Sequence, residues 1–224
     1  MEWIILIFAC LGVYILAEVA DRLNYSRKMC YVSVDVSTTG VDVEKDSVVQ
    51  LSYQVRDIAT NKKIKSRNYY FASVVSEEQK NDEGLLQGIY RDLRVDDKKK
   101  AFESLMKEIR SCRFCIGHNI KGFDRRFILK EMERLGIDRN GFDFDNSIIF
   151  DTMEETTNLC KIPHKDGTQG YKSPKLIELA EYLDVDYSEF NLYDSADDAE
   201  LTARCFSVLN QKGYFNINKY PIVF

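Results

Sequence analysis

Proline, glycine and histidine are all scarce in this chain of 224 residues, and each shortage narrows what the protein can be. Three prolines and eleven glycines are too few for a disordered or fibrous chain. Two histidines leave few side chains that can serve as a general base near neutral pH. Positive charge is also in deficit, with a net charge of −5, which excludes a broadly basic nucleic-acid coat. A nuclease stays possible, because a cluster of metal-binding carboxylates is itself acidic.

The N-terminus carries the longest apolar run of the chain. Residues 3–17 read WIILIFACLGVYILA, and Glu18 ends the run. As a helix this run reaches roughly 23 Å, short of a ~30 Å hydrocarbon core, unless the next two residues extend it. Three basic residues follow before residue 29, which places the remaining chain in the cytoplasm. We predict a membrane anchor over residues 3–20; the alternative is a buried helix of a soluble cytoplasmic protein.

The hydrophobic pattern after this segment predicts one α/β domain over residues 29–224. Three strands form a meander, and helices and strands then alternate, which is typical of a mixed β-sheet flanked by helices. Alternation and β-branched residues mark the strands, and a 3.6-residue period marks the helices. The predicted strands cover residues 31–36, 48–57, 65–72, 114–117 and 148–151. The predicted helices cover residues 85–89, 101–110, 125–135, 175–183 and 196–209.

Three aspartates stand at the ends of predicted elements. Asp35 follows an apolar strand, Asp124 opens a helix after a turn, and Asp198 lies near the start of the last helix. Each has a structural interpretation, as a strand end, a helix N-cap, or the acidic partner of Ser195 in a capping box. An unpaired carboxylate at such a place is costly to desolvate, so a proton or a cation is expected beside it.

The spacing of these aspartates resembles that of the DEDD superfamily of 3′–5′ exonucleases, which have a ribonuclease H-like fold. Residues 35–40 (DVSTTG) resemble the first motif, D-x-E-T-T-G. Residues 117–124 (GHNIKGFD) are similar to the second motif, and residues 198–203 (DAELTA) to the third. Residues 171–176 resemble the segment before the family's penultimate helix. The resemblance covers roughly residues 29–210.

The resemblance implies a site in which four carboxylates hold two divalent ions, Mg²⁺ or Mn²⁺, and a histidine is the general base. Asp35 would be the ligand shared by both ions, with Asp124 and Asp198 each serving one. The implied partners are the 3′ ends of single-stranded DNA or RNA. Contacts to nucleic acid would come from residues of the first two motifs and the basic pair that follows: Thr38, Thr39, His118, Asn119, Phe123, Arg125 and Arg126.

Two positions of the predicted catalytic set depart from the family pattern. Ser37 stands where the first motif has its glutamate, and a neutral hydroxyl is a weaker ligand for a hard cation. Tyr193 stands five residues before Asp198, where the histidine belongs, and a phenol is a poor general base at neutral pH. The family's tyrosine branch has its tyrosine four residues before the aspartate, where this chain has Asp194. We therefore predict a weakly active or inactive exonuclease, or alternatively a non-catalytic module that binds nucleic acid or protein at the membrane.

Overall fold

The computed structural model describes residues 29–71, 97–138, 144, 148–191 and 193–220. The predicted apolar anchor at residues 3–20 and the predicted helix at 85–89 lie outside these ranges. Within them, no helix is both long enough and apolar enough to cross a bilayer.

A mixed five-stranded sheet forms the centre of the fold. Its strands are β1 (Cys30–Thr38), β2 (Val48–Asp57), β3 (Lys63–Tyr70), β4 (Phe114–Gly117) and β5 (Ile149–Asp151). The order across the sheet is β3-β2-β1-β4-β5, so β1 is central. The first three strands pair antiparallel, and β4 and β5 continue the sheet in parallel. The predicted mixed sheet flanked by helices is confirmed.

The pleat of β1 divides the core between the two faces of the sheet. Val32, Val34 and Val36 pack into one apolar cluster with the first two helices. Tyr31 lies in the other cluster, with residues of the last helices. Because side chains alternate along a strand, the odd-numbered residues of β1 all face those last helices.

Five helices of the described residues pack around the sheet. The helices are α1 (Lys98–Ser111), α2 (Asp124–Arg134), α3 (Thr152–Cys160), α4 (Leu176–Tyr182) and α5 (Ser195–Gln211). Asp97, Asp151 and Asp194 are the N-caps of α1, α3 and α5, and each side chain accepts a backbone N–H of the first turn. A 3₁₀ turn, Ile217–Lys219, follows α5.

The structure corrects several predicted elements. Strand β1 is Cys30–Thr38 where residues 31–36 are predicted, and α1 begins at Lys98 where residue 101 is predicted. No helix is predicted over α3, because its buried residues are Thr152 and Thr156, which leave no apolar stripe in the sequence. The remaining signal for α3 is its N-cap, Asp151. Strand β3 begins two residues earlier than predicted, because its pairing with β2 already starts at Lys63, opposite Arg56.

Candidate active site

Asp35 lies on the central strand and faces α5. Its neighbour Ser33, two residues earlier on the same side of β1, donates its hydroxyl hydrogen bond to the carbonyl of Ala199 in α5 at 2.8 Å. Ser37, two residues later, follows the same alternation. Asp35 pairs with Ser52 and Ser37 with Gln50 across the β1–β2 ladder. The first motif therefore presents residues 35 and 37 toward the start of α5.

Asp124 is carried to β1 by a tight turn between β4 and α2. Gly117 closes β4 so near to the turn that a Cβ there would lie 2.6 Å from the Cβ of Ile120. Asn119 takes a left-handed conformation with φ of 66°. Asp124 is buried, and its Oδ1 accepts the backbone N–H of Val36 at 2.9 Å. This bond joins the first turn of α2 to β1 beside Asp35.

Asp151 supports that turn from the end of β5, and the motifs give no hint of its role. Its fully buried carboxylate accepts the backbone N–H groups of Asn119 and Lys121, both at 3.0 Å. It also accepts the N–H of Met153 as the cap of α3. An aspartate between a short strand and a helix is the one sequence signal that points to this position.

Asp198 stands one turn into α5, whose first residues are fixed by β2. Asp194, the N-cap, accepts the N–H of Ala196 at 2.9 Å and the side-chain amide of Gln50 at 2.7 Å through the same oxygen, Oδ1. The hydroxyls of Ser52 and Ser195 are 2.7 Å apart. The cap is therefore Asp194 and not a box formed by Ser195 and Asp198.

The three motif aspartates all have raised pKa values, because each is desolvated beside other carboxyl groups. Burial raises the pKa of Asp35 well above its ordinary value, and the charges of Asp124, Asp198 and Asp194 raise it further. Burial raises the pKa of Asp124 to about 7, against the hydrogen bond from Val36. Burial, followed by the charge of Asp124, raises the pKa of Asp198 to about 7. These carboxyls form one electrostatically coupled group drawn from three separate elements.

This donor set fits a hard divalent cation by its chemistry. The donor atoms of Asp35, Asp124 and Asp198 are all carboxylate oxygens. A bound dication would offset the cost of holding these negative charges close together. Within the described ranges, no three His, Cys, Asp or Glu side chains form a ready-made metal cluster.

Tyr193 stands at the predicted general-base position, and His118 is the one imidazole within the motifs. Tyr193 is 62% exposed, and its backbone N–H donates to Asn191 Oδ1 at 3.2 Å. His118 is held by Thr152 Oγ1 at 3.0 Å and by the carbonyl of Pro174 at 2.9 Å. A carbonyl accepts only, so Nε2 of His118 carries a proton and donates it to Pro174. Burial lowers the pKa of His118, which favours the neutral ring.

Three residues that are predicted to contact nucleic acid already make contacts within the fold. The hydroxyl of Thr38 donates to Gly40, and that of Thr39 donates to Asp46 at 3.0 Å, within the turn after β1. The Phe123 ring packs against Phe127, with centroids 4.9 Å apart. The polar groups of both threonines are therefore engaged within that turn, and Phe123 packs at the start of α2.

The two arginines after Asp124 have different environments: Arg125 is hydrogen-bonded within the fold, and Arg126 is exposed. The Nε of Arg125 donates to the carbonyl of Phe144, which fixes that side chain at the start of α2. Arg126 is exposed and lies two residues beyond Asp124. Two further basic runs, residues 62–65 and 98–100, are partly neutralised by ion pairs. Lys63 and Lys98 pair with Glu200 and Glu131, and Lys65 and Lys100 pair with Glu108 and Asp97. Arg126 is thus exposed, with its guanidinium donating to the carbonyl of Gly122 at 3.5 Å, and its contact with a phosphate stays a prediction.

Comparison with known proteins connects this fold to nucleases. No protein-family profile and no curated protein sequence matches the chain. Among solved structures, exonuclease I of E. coli bound to a dA16 oligonucleotide superposes with a TM-score of 0.60 over 81% of this chain, at 12% identity. Exonuclease I of Methylocaldum szegediense gives a TM-score of 0.61 over 82%, at 15% identity. Cell-death related nuclease 4 (CRN-4) gives 0.58 over 84%, at 14% identity.

These matches confirm the predicted fold. The chain has the ribonuclease H-like architecture of the exonuclease I structures. It spans only 41% of the E. coli exonuclease I chain and 40% of the M. szegediense chain, and 65% of CRN-4. At 12–15% identity the likeness to these structures concerns the fold alone.

Proposed function

We propose that this chain is a DEDD-type 3′–5′ exonuclease domain that binds the 3′ end of single-stranded DNA or RNA with a divalent ion and hydrolyses it slowly. The observation that carries the proposal is the group formed by Asp35, Asp124 and Asp198, three carboxyls from separate elements whose pKa values are all raised, chiefly by burial and further by the charges of neighbouring aspartates. The fold shared with exonuclease I supports it, because one such structure holds a dA16 oligonucleotide.

Asp35, Asp124 and Asp198 would hold Mg²⁺ or Mn²⁺, the ions that all-oxygen sites prefer. Such an ion supplies activation of water and stabilisation of the charge that develops on the phosphate. The chain supplies the orientation: the N–H of Val36 fixes one oxygen of Asp124, and Gln50 and Ser52 fix the first turn of α5, which carries Asp198. Orientation of this kind is set before the substrate arrives.

Slow hydrolysis follows from the missing base. Tyr193 projects into solvent, and both ring nitrogens of His118 are engaged by Thr152 and Pro174. Loss of a general base typically lowers a rate by about 10²–10⁴-fold. We expect binding of the 3′ end to be retained better than turnover, with Arg126 contacting the phosphate backbone at the edge of the site.

The test is hydrolysis of 3′-labelled single-stranded DNA and RNA in Mn²⁺ by the full chain. We expect slow cleavage that disappears in Asp35→Asn. A combined Ser37→Glu, Tyr193→His variant should cleave faster, because it restores the family's ligand and base. Equal cleavage by wild type and Asp35→Asn would refute the proposal.

We also propose that residues 3–20 attach the domain to a membrane with the domain on the cytoplasmic side. The support is the uncharged run and the basic residues that follow it. Alkaline extraction of membranes should leave the full chain in the pellet and release a variant that lacks residues 1–28. Release of both would refute the attachment.

A further inference from the structure

A cavity of about 480 Å³ lies between α2 and the loop that joins β1 to β2. Its volume is within the range of roughly 300–1,000 Å³ that is typical of small-molecule sites. None of the three motif aspartates lines its wall. The cavity is therefore separate from the proposed ion site, although α2 carries Asp124 in its first turn.

Apolar side chains form much of the cavity wall. Leu129 and Met132 contribute from α2, Ile137 from the residues after it, and Val43 from the facing loop. Leu129, Ile137 and Val43 pack against the core and are still only half-buried. A ligand that covers them removes further apolar surface from water, which favours a ring system over a small ion.

The loop side of the cavity is held in place by α2. Arg134 donates to the backbone carbonyl of Val43 at 2.9 Å and to that of Glu44 at 2.7 Å. Lys130 pairs with the carboxylates of Glu44 at 2.8 Å and Glu133 at 3.4 Å. A wall that is fixed in this way lowers the cost of ordering the protein around a ligand.

The charged groups of the wall are separated along α2. Arg126 lies in the first turn, is exposed, and pairs with no carboxylate of the described residues. Glu133 and Glu44 lie near the other end of the helix, on either side of Lys130. The seven residues from Arg126 to Glu133 rise about 10 Å along the helix axis, which is comparable with the length of a nucleotide from phosphate to base edge. One end thus offers a cation, and the other offers carboxylate oxygens.

We propose that this cavity binds a nucleoside monophosphate whose base carries an amino group. The phosphate contacts Arg126, the base packs on Leu129, and the amino group donates to the carboxylates of Glu44 and Glu133. Inorganic phosphate leaves the apolar wall uncovered, and a fatty acid brings no N–H donor to the carboxylates. Binding needs no divalent ion, so it stands apart from the function proposed above. A free mononucleotide and a nucleotide unit within a strand share this chemistry.

Isothermal titration calorimetry of adenosine 5′-monophosphate (AMP) into the full chain in EDTA tests this site. We expect saturable binding with a Kd of about 1 mM or below. Arg126→Gln removes the cation and should raise the Kd about tenfold. Lys107→Gln is the matched control, because it removes an exposed cation from α1, and it should leave the Kd unchanged. Binding should also persist in Asp35→Asn.

Matched ligands test the two other contacts. Inosine 5′-monophosphate has a carbonyl oxygen where AMP has its amino group, so it should bind more weakly than AMP. Glu44→Gln combined with Glu133→Gln should remove most of this preference, because an amide can donate as well as accept. Ribose 5-phosphate lacks the base and should bind most weakly of the three.

The outcomes separate this site from the ion site. A chain that binds no AMP in EDTA, or binds it only in Mn²⁺ and not as Asp35→Asn, would overturn the proposal and leave the proposed exonuclease standing. Equal weakening by Arg126→Gln and Lys107→Gln would show general attraction to positive charge and would also overturn it. Displacement of AMP by a single-stranded oligonucleotide in EDTA would identify the occupant as a nucleotide unit of a strand, and failure to displace would identify it as a free mononucleotide.

Discussion

Replacing Asp198 by asparagine should stabilise the protein at alkaline pH when no divalent ion is present. Folded Asp198 holds its proton more tightly than the unfolded chain does, since its pKa rises from 3.8 to about 7. Its contribution to stability is therefore present in full below pH 3.8 and is lost as the pH rises through about 7. Asparagine keeps the shape of the side chain and does not ionise, so the variant escapes this loss.

The size of the expected gain in stability follows from the pKa shift of Asp198. Acting alone, a rise from 3.8 to about 7 corresponds to about 4 kcal/mol above pH 7. Asp198 is partly exposed and shares its repulsion with Asp35 and Asp124, so we expect a gain of about 2 kcal/mol for the variant at pH 8. In a domain of this size that gain is a rise in Tm of about 4–8 °C.

Thermal unfolding of the full chain at pH 5 and pH 8 in EDTA measures the effect. The variant should exceed wild type at pH 8 and by much less at pH 5. The control is Asp97→Asn, where hydrogen bonds from Lys100 lower the pKa of the aspartate, so that its contribution has the opposite sign. A variant no more stable than wild type at pH 8, or one whose gain is the same at both pH values, would refute the reasoning.

Three further predictions concern residues around the site. Glu200→Gln should lower the free energy of unfolding at pH 7 by about 2–3 kcal/mol in urea titrations, because it removes the anionic partner of the buried Arg56, 2.6 Å away. This loss should shrink toward pH 3, since the pairing lowers the pKa of Glu200 against the effect of burial, to about 2. His118→Ala should remove about 1–3 kcal/mol and speed proteolysis of the loop before α4, which the ring now ties through Pro174; unchanged proteolysis would contradict it. Gly117→Ala should destabilise by about 1–3 kcal/mol in the same urea titrations, because the added methyl would lie 2.6 Å from a Cβ of the next turn; an unchanged midpoint would contradict it.

The strands of the sheet are predicted well because the pattern of apolar and polar residues along the chain specifies most of them. Strands β2 and β4 have the predicted bounds, since apolar alternation in β2 and an unbroken apolar run in β4 leave no competing interpretation. Helix α3 is invisible to the same reasoning, because its buried positions are threonines. Its N-cap, Asp151, is a helix start signal, and α3 forms after it without an apolar stripe.

The residues of the site are also of two kinds: some are predictable from the sequence, and others depend on tertiary packing. Asp35, Asp124 and Asp198 are predictable because motif spacing fixes them to the ends of recognisable elements. The bond between Gln50 and Asp194 joins residues 144 positions apart and depends on how α5 packs against β2. The pairing of Lys63 with Glu200 has the same character. Such contacts arise from tertiary packing, which local pattern does not specify.

The central claim is that three aspartates bind the 3′ end of a single strand together with a divalent ion. Fluorescence anisotropy of a labelled single-stranded oligonucleotide with the full chain tests it directly, with Mn²⁺ or with EDTA, and with a 3′-hydroxyl or a blocking 3′-phosphate. We expect tight binding only in Mn²⁺, weakened by the blocked end and lost in Asp35→Asn. Binding that is indifferent to the ion, to the 3′ end and to Asp35 would contradict it.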